Sequence, residues 1–540
     1  MRRGRSSGTR RRCNVSKDLD RLLDRYRKGG LSRRDFLRAA AALGLSLGAA
    51  QSLVGLPAWA QGSGAPRRGG ILRVAADPAT TIDPVKLDSA GGIAIVQQVA
   101  EYLVWTEPDL SLRPVLATSW RPEPDARTWV FELRRGVRFH SGKEMTADDV
   151  VATFQRLVDP EVASPARGAL PFLQKENIEK IGAYTVRFRL DRPVGDFPYY
   201  TQTYNAVILP AEYGGDFARN PVGTGPFRLT EYRPQERAVL ERNDAYWDAP
   251  RPHLDGVRIA LYQEATPQVL AMQAGEVDVI LAPPYQEAQP LLSDPAVQVL
   301  STSSGTHRQL TMRVDQRPFD DRRVREAVAL CFDRPSLLQG LFGGIGDLGN
   351  DHPIAPVYPE HQPLPQRAQD HARARRLLAE AGFPDGFEID LYTAQFLELP
   401  RYAVFVQQML QPAGIRAKLH VEPLNLYYSH WTDVPFGLTD WTSRPTATQI
   451  LGLAFRSGAE WNAAHWANDT FDRLLQELEG EPDKARRGEL AGQIEELMNR
   501  EVPAAITYFT ENLRAVRKGV HGVAADMSYF LDLTRAWVEG

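Results

Sequence analysis

Two consecutive stretches repeat one module: DHARARRLLAEAGFPDGFEIDLYT from Asp370 and YAVFVQQMLQPAGIRAKLHVEPL from Tyr402. Each carries apolar side chains at three- and four-residue spacing, then a glycine (Gly382, Gly414), then an alternating run. The first spacing makes one stripe of a helix, and the second makes one face of a strand. Asp370 offers the first helix its cap. Phe387, Ile389 and Leu391 share a face of the first strand, and Ile415, Ala417, Leu419 and Val421 a face of the second. The same logic holds upstream. ILRVAA (71–76) reads as a strand, and Ile93, Val96, Val99 and Leu103 as a helical stripe. TWVFEL (128–133) alternates as a half-buried strand, with Trp129, Phe131 and Leu133 on its apolar face. In TADDVVATFQRLVDP, Thr146 caps a helix whose stripe is Val150, Phe154, Leu157 and Val158, and Pro160 stops it. TVRFRL alternates again. Helices alternating with strands in this way predict α/β layers with mixed sheets.

A chain of 540 residues exceeds one ordinary core, so two or three domains are expected. The formal net charge of −3 hides two regions of opposite sign. Residues 1–60 hold 14 Lys+Arg against 4 Asp+Glu, which leaves 50 basic and 63 acidic side chains beyond them. An acidic body excludes the nucleic-acid-binding class, whose folded part is basic. In the basic leader, an Ala-, Gly- and Leu-rich run follows Ser32 and ends in Ala58-Trp59-Ala60, an A-x-A cleavage signal. Ser32-Arg33-Arg34-Asp35-Phe36-Leu37 resembles the twin-arginine (Tat) export signal, with Arg33 and Arg34 as its pair. A signal peptide over 1–60 and a linker over 61–68 are therefore expected, with no cysteine at the cleavage point to carry a lipid anchor. Cys13 lies in the leader, so Cys331 stands alone after processing and is expected to be a buried, unreactive thiol.

Beyond the leader, whose apolar run contains Gly44-Leu45-Ser46-Leu47-Gly48, the chain lacks HExxH, GxSxG and CxxC. GTGPF from Gly223 is no phosphate cradle, because its proline removes a needed N–H. Its ten histidines show no ligand spacing, so no metal site, catalytic residue or cofactor is assigned. What stands out is a concentration of aromatic and amide side chains in apparent loops: Tyr427, Tyr428, Trp431, Trp441, Trp461, Asn462 and Trp466. Loops run over the surface, and rigid rings with polar tips suit the wall of a ligand pocket, so binding is expected there.

TWVFELRRGVRFHSGKEMTADDVVATFQRL resembles the signature segment of the family 5 extracellular solute-binding proteins, the peptide-, opine- and nickel-binding components of ABC importers. NPVGTGPFRLTEYRPQERAVLERNDAYW, DDRRVREAVALCFDRPSLL and the stretch from GAEWNAAHWANDTFDRLL to PAAITYF are similar to further hallmarks, from about Gly69 to the end. The resemblance implies a periplasmic-binding-protein-like α/β fold, two lobes hinged as a Venus flytrap. Residues 69–112, 222–308 and 506–540 would form lobe I, 113–221 an inserted subdomain, and 309–505 lobe II. It also implies a periplasmic monomer with no catalysis and no cofactor, whose partners are a small solute, a permease and an ATPase. Peptide-binding members hold the peptide amine with an Asp three residues after a Trp; here Trp441 is kept and Arg444 stands at that position. A guanidinium suits a carboxylate and not an ammonium. The expected ligand-binding residues are therefore Arg444, Trp441, Tyr427, Tyr428, Trp461 and Asn462, with a peptide, opine-like or other amino-acid-derived solute bearing a carboxylate. That Arg444 only braces its loop on a carboxylate such as Asp440 stays open. So do a chelated metal such as nickel, for which His430 and His465 are candidates, and a secreted hydrolase on the same scaffold.

Overall fold

The structure, a computed structural model, describes residues 65–124 and 126–539, all within one unit that runs from Trp59 to Gly540. The expected signal residues Arg33, Arg34, Ala58 and Ala60 lie outside the described residues.

A mixed sheet of eleven strands organises this unit. At one end, Ile71–Ala76 pairs in parallel with Gly256–Leu261 and with Val279–Ile280, and the hairpin Phe227–Arg233/Arg237–Arg242 extends the edge. At the other end, Phe387–Ala394 pairs in parallel with both Ile415–Glu422 and Phe436–Trp441. Phe387–Ala394 and Ile415–Glu422 are the strands of the two modules read from the sequence. Their helices are His371–Glu380 and Leu399–Leu410, and the Asp370 carboxylate caps the first by accepting the Arg373 N–H at 2.8 Å. Gly414 ends the second module's helical segment at φ +96, a backbone region open to glycine at little cost.

Two long antiparallel strands, Val297–Met312 and Ala504–Arg517, join the ends of the sheet. Their pairing runs from Val297↔Arg517 to Thr311↔Ala504, with register shifts between Ser303 and His307 and again before Gln309. Shifts of this kind bend a strand locally. The apolar core divides at the same place. Leu300 and Val516 join a cluster built on residues of the first sheet end, whereas Leu310, Met312 and Ala505 join one built on Leu391, Val406 and Leu438. A third cluster gathers Trp441, Trp466, Leu475 and Ile494 beside the second.

A separate four-stranded antiparallel sheet, Ala117–Pro122, Thr128–Leu133, Thr185–Leu190 and Leu173–Gly182, carries the helix Ala147–Val158. Thr146 begins that helix as expected, its N–H donating to Asp149 at 2.8 Å. The strand Thr128–Leu133 is more enclosed than its alternation predicts, because Val130 on the second face is buried as well as Trp129, Phe131 and Leu133. The GTGPF stretch has a structural role. The Gly225 N–H donates to the Val99 carbonyl at 2.9 Å, and a Cβ at Gly225 would stand 2.6 Å from the Gln98 carbonyl oxygen. Only a residue without a side chain allows that approach to the end of the helix Ala90–Val99. Gly225→Ala should therefore lower stability by about 1–3 kcal/mol in a urea titration, through overpacking against backbone that cannot move aside. Cys331 is fully buried, its thiol donates to the Ala327 carbonyl at 3.2 Å, and burial pushes its pKa up to about 12.

Candidate functional site

A cavity of about 170 Å³ opens where the two long strands cross from one end of the sheet to the other. Thr306 and Arg308 on one long strand and Thr510–Leu513 on the other form its floor. Its sides come from both sheet ends: Ala282–Gln286 from one, and Phe396–Glu398, Asp440 and Thr442 from the other, with Tyr529 closing over.

Strand parity decides which side chains face this space. In the register of Val297–Met312 against Phe436–Trp441, Arg308 stands opposite Asp440 and His307 opposite Trp441. Successive side chains point to opposite faces, so the Arg308/Asp440 pair takes the cavity and the His307/Trp441 pair takes the other face. There Trp441 is buried in the third core cluster, and His307 lies edge-on to Phe509 with ring centroids 5.5 Å apart.

The cavity floor is strongly charged. Arg308 and Glu398 form an ion pair at 2.7 Å in which each side chain is 4% exposed. The Tyr508 hydroxyl donates to the same carboxylate at 3.2 Å. The Glu398 charge, with a contribution from Asp440, holds the Arg308 guanidinium above its ordinary pKa against the opposing effect of burial. Asp440 accepts the Tyr428 hydroxyl hydrogen, and burial followed by the Asp440 charge pushes the Tyr428 phenol far above its usual range. With Arg308 matched by Glu398, Asp440 adds a further carboxylate to the lining.

The residues singled out in the sequence fall differently from the expected loop cluster. Tyr427 and Tyr428 belong to the short helix Leu424–Tyr428, and Trp441 ends a strand. Tyr427 is fully enclosed in the second core, its hydroxyl 2.9 Å from that of Thr439. Asn462 is a loop brace: its amide donates to the Arg456 and Trp466 carbonyls at 3.1 and 2.7 Å. Trp431, Trp441 and Trp461 form an edge-to-face ladder with 6.0 Å between successive centroids, and Trp461 alone of the three is exposed, at 42%. None of the six expected ligand-binding residues lines the cavity, whereas Asp440 and Thr442, the immediate neighbours of Trp441, do. Reading FGLTDWT as a strand rather than a loop would have found them by parity.

Arg444 lies just past the cavity wall. Its backbone carbonyl accepts the Tyr358 hydroxyl hydrogen at 2.8 Å, and the preceding Ser443 is tied to Gly305 and Thr306 by hydrogen bonds of 2.9 and 3.0 Å. The carboxylate of Asp440 bonds to Tyr428 and not to Arg444. Among the described residues the Arg444 guanidinium has no ion pair, and its Nε is buried without a hydrogen-bond partner. Burial lowers its pKa, with the nearby phenols of Tyr358 and Tyr204 opposing.

Among the described residues there is no group of three or more His, Cys, Asp or Glu side chains arranged to hold a metal ion. His430 is 2.8 Å from Glu422, and His465 is 3.4 Å from Asp315. No helix among the described residues is long and apolar enough to cross a membrane.

Residues 111–463 match the family described as bacterial extracellular solute-binding proteins, family 5, middle. Heme-binding protein A of Haemophilus influenzae is 26% identical over 449 residues, covering 75% of this chain and 81% of that one. Glutathione-binding protein GsiB of Escherichia coli K12 is 26% identical over 448 residues, covering 78% and 86%. Among solved structures, HbpA2 of Haemophilus parasuis superposes with a TM-score of 0.80 at 23% identity, over 87% of this chain and all of that one.

Proposed function

The chain belongs to the bacterial extracellular solute-binding proteins of family 5, and from that premise we propose that it captures a small amino-acid-derived compound bearing a carboxylate. Proteins of this family deliver a solute to the permease and ATPase of an ABC importer. In this reading the protein works in the periplasm and returns its solute chemically unchanged.

The observation that carries the proposal is the half-buried Arg444 guanidinium, its Nε enclosed, which has no anionic partner among the described residues. A partly enclosed charge left unpaired is unfavourable, and a carboxylate arriving with the solute would relieve it through charge-assisted hydrogen bonds. The Asp440 carboxylate on the cavity lining suits an amino group on the same compound. Glutathione, named for one relative, combines an amino group with two carboxylates, so it is the first compound to try.

The two-lobe division drawn from the sequence is part of the proposal. It is supported by the split of the core between Leu300 and Leu310 and by the register shifts that fall at the proposed boundary of 308/309. A solute touching both lobes favours the closed arrangement alone, and so drives hinge closure.

A thermal-shift screen of peptides, opines, metal chelates and sugars tests the reading. A compound present at one hundred times its Kd should add about 2.7 kcal/mol of stability. With that compound in hand, Arg444→Asp should abolish binding and Arg444→Lys should weaken it, because an ammonium lacks the planar fork. Unchanged affinity in both folded variants would remove the anion site from the account. Asp440→Asn should weaken an amine-bearing compound about tenfold or more, the worth of a hydrogen bond to a charged group, and leave its des-amino analogue unaffected.

A further inference from the structure

The two halves of the molecule meet a second time, away from the long strands. The segment Arg192–Phe197, whose Val194 and Phe197 belong to the first core cluster, touches the end of the helix Asp469–Gly480, whose Leu474, Leu475 and Leu478 belong to the third. The Gly195 N–H donates to the Glu479 carbonyl at 2.6 Å, and a Cβ at Gly195 would lie 2.4 Å from the Glu481 carbonyl oxygen. Arg192 and Arg456 grip the two oxygens of the Glu479 carboxylate, each at 2.7 Å. Asp196 accepts the Thr448 hydroxyl hydrogen and lies 3.5 Å from Arg487.

We infer that this contact is a separable latch, and that Arg192, Gly195 and Asp196 set the affinity for the solute without touching it. The inference rests on the hinged-clamp reading above. Three observations carry it. The contact is polar and built on a glycine backbone, as in interfaces between domains that move, and unlike the apolar seams within each cluster. Its partners are also arranged for parting. Every polar side chain on the second-half side keeps a partner of its own: Glu479 has Arg456, Arg487 has Glu360 at 2.8 Å, and Thr448 has Thr446 at 2.9 Å. Withdrawal of the Arg192–Asp196 segment would therefore leave no buried charge unpaired on that side, which is the main penalty of breaking an enclosed ion pair. The third observation is a link to the site. Thr448 lies in the first turn of the helix Ala447–Ala454, which starts three residues after Arg444, while Tyr204 near the Arg444 guanidinium belongs to the same half as Asp196.

Contacts made only in the closed state raise the closed fraction, and apparent affinity scales with that fraction. The latch thus tunes Kd from outside the pocket.

Two variants test this. Arg192→Glu sets a like charge against Glu479. Pro193→Cys with Gly480→Cys places two Cβ atoms 3.1 Å apart, a few tenths of an ångström under the roughly 3.5–4.5 Å that a disulfide spans, so a slight parting of the two segments lets the bond form. Small-angle scattering without added solute should show a larger radius of gyration for Arg192→Glu than for the unaltered protein. The oxidised cysteine pair should be more compact than the same protein after reduction. Equal radii in all four samples would make the contact a permanent seam and overturn the latch. That result would leave the importer reading untouched, since the solute screen judges it separately. Should Arg192→Glu fail to fold, the oxidised and reduced cysteine pair decides alone.

Discussion

Glu398→Gln should remove about 3–5 kcal/mol of stability, read as a lowered urea midpoint, although it changes one oxygen for one nitrogen. The side chain it alters is 4% exposed and holds an equally enclosed Arg308 at 2.7 Å. The amide keeps the shape and loses the charge, so a guanidinium is left in the interior without its counter-ion. Asp440, which also acts on Arg308, lies on the cavity side and softens the loss without cancelling it. The effect reaches the site through position. Arg308 stands on one long strand, Tyr508 on the other bonds to the same carboxylate, and Glu398 begins the helix Leu399–Leu410, so the pair ties both crossing strands to the second sheet end at the cavity floor. Arg308→Met with Glu398→Leu should recover most of the stability, because replacing a buried pair by apolar side chains of similar volume is often neutral. The double variant should still bind solute poorly, since its cavity floor is no longer polar. If the single variant is as stable as the unaltered protein, the pair is not the clasp described.

The regular parts of this fold could be read in advance because they depend on local periodicity. The helix–glycine–strand modules after Asp370 and Tyr402, the capped helix at Thr146 and the strand Ile71–Ala76 all formed where their side-chain spacing put them. The cavity depends on something no local window contains. Arg308, Glu398, Asp440 and Asn512 come from four places in the chain and meet only because two strands of 16 and 14 residues cross between the sheet ends. Aromatic content near Gly, Pro and Ser misled in a specific way. Tyr427, Trp441 and Trp466 resemble pocket walls by composition, yet they are buried, Tyr427 in the second core and the two indoles in the third. One residue changes the face of a strand, and the Asp440-Trp441-Thr442 triplet shows how much turns on it. Arg444 was legible as an oddity from its departure from the peptide-binding pattern, and its partial burial with no carboxylate among the described residues is what gives that oddity physical weight.

Two enclosed histidines should govern how the protein responds to acid. His307 and His352 are at most 2% exposed, and burial drives their pKa values down to about 4 and about 3. The surroundings of His352 include His361 and His307, which lower it further, and Asp351 and the Ile354 backbone, which oppose. Asp351 is itself committed to Arg334 and Arg367 at 2.8 and 2.7 Å, so it is poorly placed to welcome a second cation. In the unfolded chain both rings take a proton near pH 6.5, and in the folded protein neither does until far lower pH. Between those values the unfolded state binds more protons, so stability is fully present above pH 6.5 and falls as pH drops towards the folded values. Each ring contributes a slope of about 1.4 kcal/mol per pH unit in that window. Glu101 works in the opposite sense: burial raises its pKa to about 7 despite hydrogen bonds from Tyr246, Trp247 and Thr224, so its contribution is lost as pH climbs through that value. A difference measurement removes this and every other shared titration. His352→Gln should lose packing at neutral pH, and that deficit against the unaltered protein should then shrink by about 2 kcal/mol on going from pH 6.5 to 5. A deficit that stays constant over that range would mean that His352 carries its proton in the folded protein, in an enclosure open enough to solvate it.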